Sequence, residues 1–439
     1  MRMISRKLQL PFILAIIGIL GFSACQKKDN ETSFITPNVG QGIKNGRDTF
    51  YLGESRALSP ELANVKNPTF LWLVNGTVVS KDSLYTFTPT EPGDYTISYK
   101  ISSGNSYNFW YYRFKVLGKY ADGFFIVNEG WFGHDLGGVN FYRNGEDTIH
   151  QNVFNRENPG KTLGKTTQFG AVYNNRLYLV SKEGPLVVTD VNNMQETGRI
   201  AQLPASGNAF CGVDNNTGLV STLDGVYQIN LQTLTVGNKI SGITGQAGGM
   251  IKAGNYVFVM VENAGIVVLN ATDFSIVRTL PKADAGISQT PDGTIWAGGG
   301  KLLYAINPQT LAVTTTNVPF DVYGSWGGWN ATMFSTSTKE VAVFVGKTNP
   351  WGAGGDEVYK YTVGNPASLN QPFIKLPTKM VLYGAAVRYN PGNNTVVVTA
   401  VHSENYQQNT LYIYDAYSGA LLKQVAYNGY FFPAIPVFK

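Results

Sequence analysis

Short apolar runs, broken by glycine and by Asn or Asp turns, recur from about residue 121 to residue 439. One unit reads "FGAVYNN", "RLYLVSKEG", "PLVVTDVNN" and "ETGRIAQL" in chain order, within residues 169–203, and five further copies follow it. Runs of this length, rich in Val, Ile, Leu and Tyr and bounded by turn residues, predict β-strands. Four strands per unit at a spacing of about 40 residues is the period of a propeller blade.

Most units carry an Asp or Asn near the end of the third strand, and this position has a local structural use. An Asx side chain can accept hydrogen bonds from backbone amides of the turn that follows it. We therefore predict a structural and not a catalytic role for these residues, which are Asp190, Asn230, Asn270, Asn307 and Asp415.

The first block of the repeat region lacks a first strand. Its segments "GFFIVNEG", "GVNFYRNGE" and "DTIHQNVF", within residues 123–154, match second, third and fourth strands. The last segment, "YFFPAIPVFK" (Tyr430–Lys439), has the pattern of a first strand. The prediction is that this segment completes the first block and closes a ring of seven blades, which removes open sheet edges.

A smaller all-β region, residues 48–118, precedes the repeats. "FLWLV" followed by Asn75-Gly76 and "TVV" predicts a hairpin with a type I′ turn. Asp94-Tyr95 before an alternating strand, with Trp72 on an earlier strand, resembles an immunoglobulin-like or PKD-like sandwich. The predicted fold class is all-β: an N-terminal Ig/PKD-like β-sandwich, interpreted as a spacer, followed by a seven-bladed β-propeller over residues 121–439. A small binding module is the alternative role of the first domain.

The N-terminus predicts export and lipidation. Basic residues precede the apolar run "LQLPFILAIIGILGF", which ends in small residues and Cys25, so residues 1–24 have the pattern of a lipoprotein signal peptide. The run is shorter than the roughly 20 residues that a transmembrane anchor needs. Residues 25–47 are a polar tether, and "QKKDNE" resembles the surface-export signal of Bacteroidetes lipoproteins. The expected location is the cell surface, with the lipid on Cys25 held in the outer membrane.

The amino-acid composition limits the classes of partner that we expect. Of 439 residues only 14% are charged, and the net charge of +5 has no basic run beyond the signal and tether, so nucleic acid is not an expected partner. With Cys25 lipidated, Cys211 has no cysteine to pair with, and its apolar surroundings predict a buried structural thiol.

Aromatic residues concentrate in two kinds of loop: those between second and third strands, and those between consecutive blades. Because neighbouring strands of a blade run in opposite directions, both kinds of loop emerge on the same face of the propeller. Several glycines adjoin them, and a large exposed apolar patch typically marks an interaction site. An alternative is that the rings cover their own loops as miniature cores. The predicted ligand-binding residues are Trp131, Phe132, His134, Tyr323, Trp326, Trp329, Trp351, Tyr383, Tyr406 and Tyr430.

Catalysis and metal binding are not expected. His134 and His402 lie in these loops, but the chain has neither the HExxH spacing of a zinc site nor the GxSxG of a nucleophile elbow. We therefore assign no catalytic residue, no metal ligand and no cofactor, and predict a non-enzymatic protein.

The signal, the tether and blades such as "LYLVSKEG…VVTDVNN" and "LYAINPQTL" together resemble the YncE-like, YVTN-type propeller lipoproteins of Bacteroidetes. That group includes surface propellers that bind cobalamin and pass it to a TonB-dependent transporter. The resemblance implies capture of a corrinoid on the aromatic face, with such a transporter as partner. A glycan-binding surface protein and a protein-binding scaffold or adhesin are the alternatives.

Overall fold

The computed structural model describes residues 43–59, 65, 67–324, 333–335, 342–350 and 353–439. The predicted signal peptide and Cys25 lie outside these residues. Backbone contacts group the chain into two compact units; the first includes residues 56–87 and 95–113, and the second includes residues 114–439. Within the described ranges, no helix has both the length and the apolar character needed to cross a bilayer.

The first unit is built from a five-stranded sheet in the order β1-β7-β6-β3-β4 and a two-stranded sheet of β2 and β5. Trp72 is fully buried, stacks 4.1 Å from Tyr99, and donates its indole N–H to the Asp82 carbonyl at 2.9 Å. Asn75 and Gly76 both have positive φ, as a type I′ turn requires, so the predicted hairpin is confirmed. The strands are β1 (Arg47–Tyr51), β2 (Arg56–Leu58), β3 (Thr69–Val74), β4 (Thr77–Ser80), β5 (Tyr85–Phe87), β6 (Gly93–Ser103) and β7 (Ser106–Leu117).

Seven sheets follow in the second unit, and the predicted blades account for all of them. Blade one holds β34 (Pro433–Val437), β8 (Gly123–Asn128) and β9 (Gly138–Arg143). Blade two holds β10 (Lys165–Tyr173), β11 (Arg176–Glu183), β12 (Leu186–Asp190) and β13 (Glu196–Ile200). Blade three holds β14 (Gly207–Gly212), β15 (Thr217–Thr222), β16 (Gly225–Asn230) and β17 (Thr235–Lys239). Blade four holds β18 (Ala247–Ala253), β19 (Tyr256–Val261), β20 (Gly265–Asn270) and β21 (Ile276–Leu280).

The remaining blades have the same strand order. Blade five holds β22 (Ile287–Gln289), β23 (Ile295–Gly299), β24 (Leu302–Ile306) and β25 (Val313–Asn317). Blade six holds β26 (Met333–Ser335), β27 (Ala342–Thr348), β28 (Gly354–Thr362) and β29 (Ile374–Lys375), with a 3-10 turn at Pro366–Leu369. Blade seven holds β30 (Met380–Asn390), β31 (Thr395–His402), β32 (Asn405–Asp415) and β33 (Leu421–Asn428).

The ring closes as predicted. β34 pairs antiparallel with β8, with Ile435 opposite Val127 and Pro436 opposite Ile126. The first strand of each blade contacts the first strand of both neighbouring blades, so β34, β10, β14, β18, β22, β26 and β30 form a closed inner ring. Proline is tolerated in β34 because an inner strand is a sheet edge.

The fourth strand predicted for the first block, within residues 147–154, is wrong. The chain makes a single bridge there, between Phe141 and His150, and then forms the short helix α1 (Val153–Glu157). Val153 and Phe154 are fully buried in the core between blades one and two. Adjacent apolar residues both pack inward from one helical turn, whereas successive strand residues would point to opposite faces.

The second strands are apolar throughout because both of their faces are covered. In β8, Phe124 and Ile126 pack into the core shared with blade seven, whereas Phe125 and Val127 pack into the core shared with blade two. Seven such cores, one at each blade boundary, hold the propeller together. Cys211 packs against one of them, and burial raises its pKa to about 12, in line with the predicted structural thiol.

Candidate functional site

The loop between β8 and β9 is fixed to the segment that precedes the closing strand. The amides of Glu129 and Gly130 donate to the carbonyls of Phe432 and Phe431, both at 3.0 Å. Gly130 has φ of 75°, and a Cβ added there would lie 2.5 Å from the Leu136 carbonyl oxygen. Only glycine fits this turn without strain, so the backbone holds the loop at the seam between blades seven and one.

Among the described residues, six rings meet at this seam, and they are called the aromatic cluster. Trp131 stacks on His134 at 4.1 Å and on Tyr430 at 4.5 Å between ring centroids. Phe432 lies 6.5 Å from Tyr430 and continues the cluster to Tyr383 at 5.3 Å and Tyr406 at 5.8 Å. Stacked and tilted pairs at these separations are favourable ring contacts. The cluster consists of Trp131, His134, Tyr383, Tyr406, Tyr430 and Phe432.

The outer members of the aromatic cluster face solvent. Trp131 is 39% exposed and Tyr406 is 50% exposed, although both are large apolar rings. Phe432 has φ of 49°, a left-handed conformation that is rare for a bulky side chain and costs about 1–3 kcal/mol. Two exposed rings and one residue with a strained backbone therefore belong to the same cluster.

A carboxyl group lies beneath the cluster. The Tyr383 hydroxyl donates to Glu129 Oε2 at 3.0 Å. Burial raises the pKa of Glu129 to about 7, although the Tyr383 hydrogen bond and the charge of Lys182 oppose the rise. Burial and the Glu129 charge together raise the pKa of both Tyr383 and Tyr323, which stay protonated. Near neutral pH, Glu129 can therefore either donate or accept a hydrogen bond.

The other predicted residues have different surroundings. Phe132 is 65% exposed, and the Lys182 ammonium of blade two lies 5.9 Å from its ring centroid. Tyr323 is buried in the core between blades six and seven, below the surface that the other rings share. Trp326, Trp329 and Trp351 lie outside the described residues.

The histidines of this face make ring and turn contacts. His402 Nδ1 accepts the Glu404 amide at 3.2 Å, and Glu404 pairs with Lys379 at 2.7 Å. In the part of the chain that the structure describes, no three His, Cys, Asp or Glu side chains come together as a metal site.

A cavity of about 380 Å³ adjoins the aromatic cluster. Gly130, Leu136 and Tyr430 form part of its wall, and the exposed residues Asn152 and Asn155 add polar groups. Its volume is at the lower end of the range for small-molecule sites. An aromatic rim beside amide groups can hold a ring-shaped ligand by stacking and by hydrogen bonds.

The sequence pattern does not indicate Glu129, Lys182 or Phe432 as site residues. The burial of Glu129 follows from the closing segment, whose carbonyls accept the Glu129 and Gly130 amides, and a strand pattern does not show this contact. The clearest available signal was the position of Glu129 directly after an apolar strand, where a carboxylate begins to leave the core.

Parts of this chain are similar to known domains and solved structures. A PKD-like domain matches residues 46–103. A quinonprotein alcohol dehydrogenase-like protein from Bacteroides thetaiotaomicron has a similar crystal structure, with a TM-score of 0.59 and 20% identity over 93% of this chain and 100% of that chain. A computationally designed protein, Ika8, matches with a TM-score of 0.44 and 12% identity over 70% of this chain and 88% of that chain.

Among curated proteins, none matches the chain in sequence. The similarity to the Bacteroides thetaiotaomicron structure, at 20% identity, indicates a shared fold. A family model covers far more of the sequence, since it matches residues 122–439, the whole region of the seven blades. The chain therefore belongs to the family described as a domain of unknown function, DUF5074.

Proposed function

We propose that this protein is a non-enzymatic receptor that captures a ligand on the aromatic cluster at the seam of its propeller. The observation that carries the proposal is the stacked set of rings, partly open to solvent, above the Glu129–Tyr383 hydrogen bond. Rings fixed in place before binding lose little side-chain entropy when a ligand stacks on them. No step of bond chemistry is part of the proposal.

A corrinoid is the first ligand proposed. Its broad ring is fringed with amides, so it can lie on exposed aromatic rings while its edge exchanges hydrogen bonds with polar side chains. Asn405 and Gln407 flank Tyr406 and are exposed, and Glu129 can donate or accept near pH 7. The cavity of about 380 Å³ is too small for the whole ring and would take one of its side groups.

The proposed setting is the outer face of the outer membrane, with the lipid on Cys25 as anchor and a TonB-dependent transporter as recipient of the ligand. The support is the signal, the cysteine and the tether in residues 1–47. Metabolic labelling with an azide-bearing fatty acid should label the wild-type chain and not Cys25→Ser. Equal labelling of both would overturn the anchor.

The ligand test is a visible-spectrum titration with cyanocobalamin. We expect Trp131→Ala with Tyr430→Ala to weaken binding at least tenfold and to leave the melting temperature within about 2 °C, because the hot-spot rings are surface residues. Tyr417→Ala is the matched control, since Tyr417 is a 66% exposed ring in blade seven outside the aromatic cluster. No spectral change with the wild type, or equal loss in the control, would overturn corrinoid capture.

The cavity beside Trp131 favours a second candidate, a neutral glycan. Sugar rings stack on Trp and Tyr, and the asparagine amides that line the cavity suit hydroxyl groups. Affinity electrophoresis in gels that contain dextran or mannan is the test. Retardation of the wild type, lost in the Trp131→Ala and Tyr430→Ala variant, supports the glycan, whereas free migration in every gel excludes those glycans.

A further inference from the structure

One face of β7 carries a strip of exposed rings that the propeller site does not involve. Tyr107 is 62% exposed, Phe109 41% and Tyr111 55%, and these residues alternate with others that face the core, such as the buried Tyr112. Alternation along a strand places every second side chain on the same sheet face. The three rings therefore form a ladder along the outer surface of the five-stranded sheet.

Two basic residues, Lys100 and Arg113, lie beside the rings of the ladder. The Lys100 ammonium, on the neighbouring strand β6, lies 4.9 Å from the Tyr107 ring centroid and 5.6 Å from that of Phe109. Arg113 is exposed two residues beyond Tyr111, on the same side of β7. Such contacts hold a cation against ring faces while its charge still reaches solvent.

A cavity of about 300 Å³ lies at the Tyr111 end of the ladder. Its wall includes Arg47 and Arg113 with Phe109 and Tyr111, so two arginines and two aromatic residues border one space. A tight turn presents Arg47: the amide and carbonyl of Lys44 pair with those of Arg47 at 2.9 Å, and the Arg113 amide binds the Gly46 carbonyl at 2.7 Å.

We propose that this face of the PKD-like domain binds an acidic polysaccharide. Guanidinium groups recognise carboxylate and sulfate oxygens in bidentate fashion, and aromatic rings stack on sugar rings. A cavity bordered by arginines and aromatic residues fits one acidic sugar residue. The ladder of rings extends away from this cavity and offers stacking surfaces to the neighbouring sugars of the same polysaccharide. This site lies in the first domain and is separate from the aromatic cluster of the propeller.

The test is affinity electrophoresis of the whole protein in gels containing polygalacturonate, with gels free of polysaccharide as the comparison. The wild type should be retarded by polygalacturonate, and Arg47→Gln with Arg113→Gln should lose at least tenfold in affinity. Lys282→Gln with Lys301→Gln is the matched control, because it removes two exposed positive charges from the propeller. Tyr107→Ala with Tyr111→Ala should also weaken binding, and a nonspecific charge effect would not produce that loss.

Several results would overturn the proposal. Free migration of the wild type in polygalacturonate is one, and equal losses in the arginine and lysine variants is another. Binding to vesicles of anionic phospholipid without binding to polygalacturonate would assign the face to a membrane surface instead. The melting temperature and circular dichroism spectrum of each variant show whether the domain has folded, and a folded arginine variant that keeps full affinity also contradicts the site. The cyanocobalamin titration is independent of all these outcomes.

Discussion

At the residue scale, one recurring turn explains why so many blades carry Asp or Asn at the same place. The Asx side-chain oxygen accepts hydrogen bonds from the backbone amides two and, in most copies, three residues later. Asn230, for example, accepts from the amides of Gln232 and Thr233 at 2.9 and 3.0 Å. The fourth strand begins five or six residues after the Asx, and the residue four places after the Asx adopts positive φ. That residue is Met194, Leu234, Phe274, Leu311 or Gly419.

Replacing Asn230 by Ala removes the acceptor for two turn amides. We expect the free energy of unfolding to fall by about 1 kcal/mol, the usual contribution of such a local bond. Urea denaturation measures the change. Asn238→Ala is the control, since Asn238 is exposed on β17 of the same blade, and its effect should stay within about 0.5 kcal/mol. Equal effects at the two positions would contradict the structural role of the turn.

Glu129 should make stability depend on pH. Its pKa is about 7 in the folded protein and 4.5 as the ordinary value, so the folded state binds more protons between these values. Stability is then fully present below pH 4.5 and decreases as pH rises to about 7. Between pH 5 and pH 8 the unfolding free energy of the wild type should fall by about 2 kcal/mol more than that of Glu129→Gln. This is less than the whole pKa difference corresponds to, because the side chain is partly exposed. Parallel pH profiles would refute this assignment.

At the element scale, the sequence predicts the blades well and the exception has a local cause. Runs such as Leu177–Val180 are apolar at every position because alternate residues pack into two different cores, which any blade requires. Residues 147–154 resemble a fourth strand by pattern, yet His150 bonds to Glu146 at 2.6 Å and Asn152 adopts positive φ, which turns the chain into α1. These side-chain contacts are not visible in a hydrophobic pattern.

The helix α1 should be essential to the core between blades one and two. Phe154 is fully buried among side chains of both blades, so Phe154→Ala should cost about 3–5 kcal/mol through lost burial and the cavity left behind. Chemical denaturation monitored by circular dichroism measures this cost. Gln151→Ala, an exposed change just before the helix, should be nearly neutral. A loss below about 1 kcal/mol at Phe154 would show that the segment packs differently.

The candidate site is less predictable than the blades for a related reason. The up-and-down order of the strands predicts that the loops of Trp131, Tyr383, Tyr406 and Tyr430 lie on one face of the propeller. The structure brings these four rings into one cluster. Whether a loop residue faces solvent or core depends on how far each loop folds back, and Tyr323 is buried for that reason. The burial of the Glu129 carboxyl group likewise depends on the closing segment, and in the sequence only its position directly after an apolar strand indicates it.

At the scale of the whole molecule, the propeller is a ring of seven cores that depends on one noncovalent seam. Blades two to seven are each continuous in sequence, whereas blade one joins β34, which follows blade seven, to β8, the first propeller strand in chain order. The aromatic cluster lies at this same seam, because the Glu129 and Gly130 amides bind the segment before β34. Closure of the ring and assembly of the candidate site are therefore one structural event.

Ile435→Asp tests this dependence. Ile435 is 1% exposed, pairs with Val127 and belongs to the core between blades one and two, so a carboxylate there would be buried in apolar surroundings. We expect a loss of at least about 3 kcal/mol in unfolding free energy. Opening the seam also exposes the edge of β8, which favours self-association.

Urea denaturation and light scattering measure the two effects. Ala426→Asp, an exposed change on the outer strand β33 of blade seven, is the control that adds the same charge. A folded monomer of Ile435→Asp with the unfolding midpoint of the wild type would show that the ring holds without β34. If Ile435→Asp is destabilised and also loses ligand at the aromatic cluster while Ala426→Asp keeps it, that result would link ring closure to binding. The reason is that the Glu129 and Gly130 amides bind the segment that leads into β34.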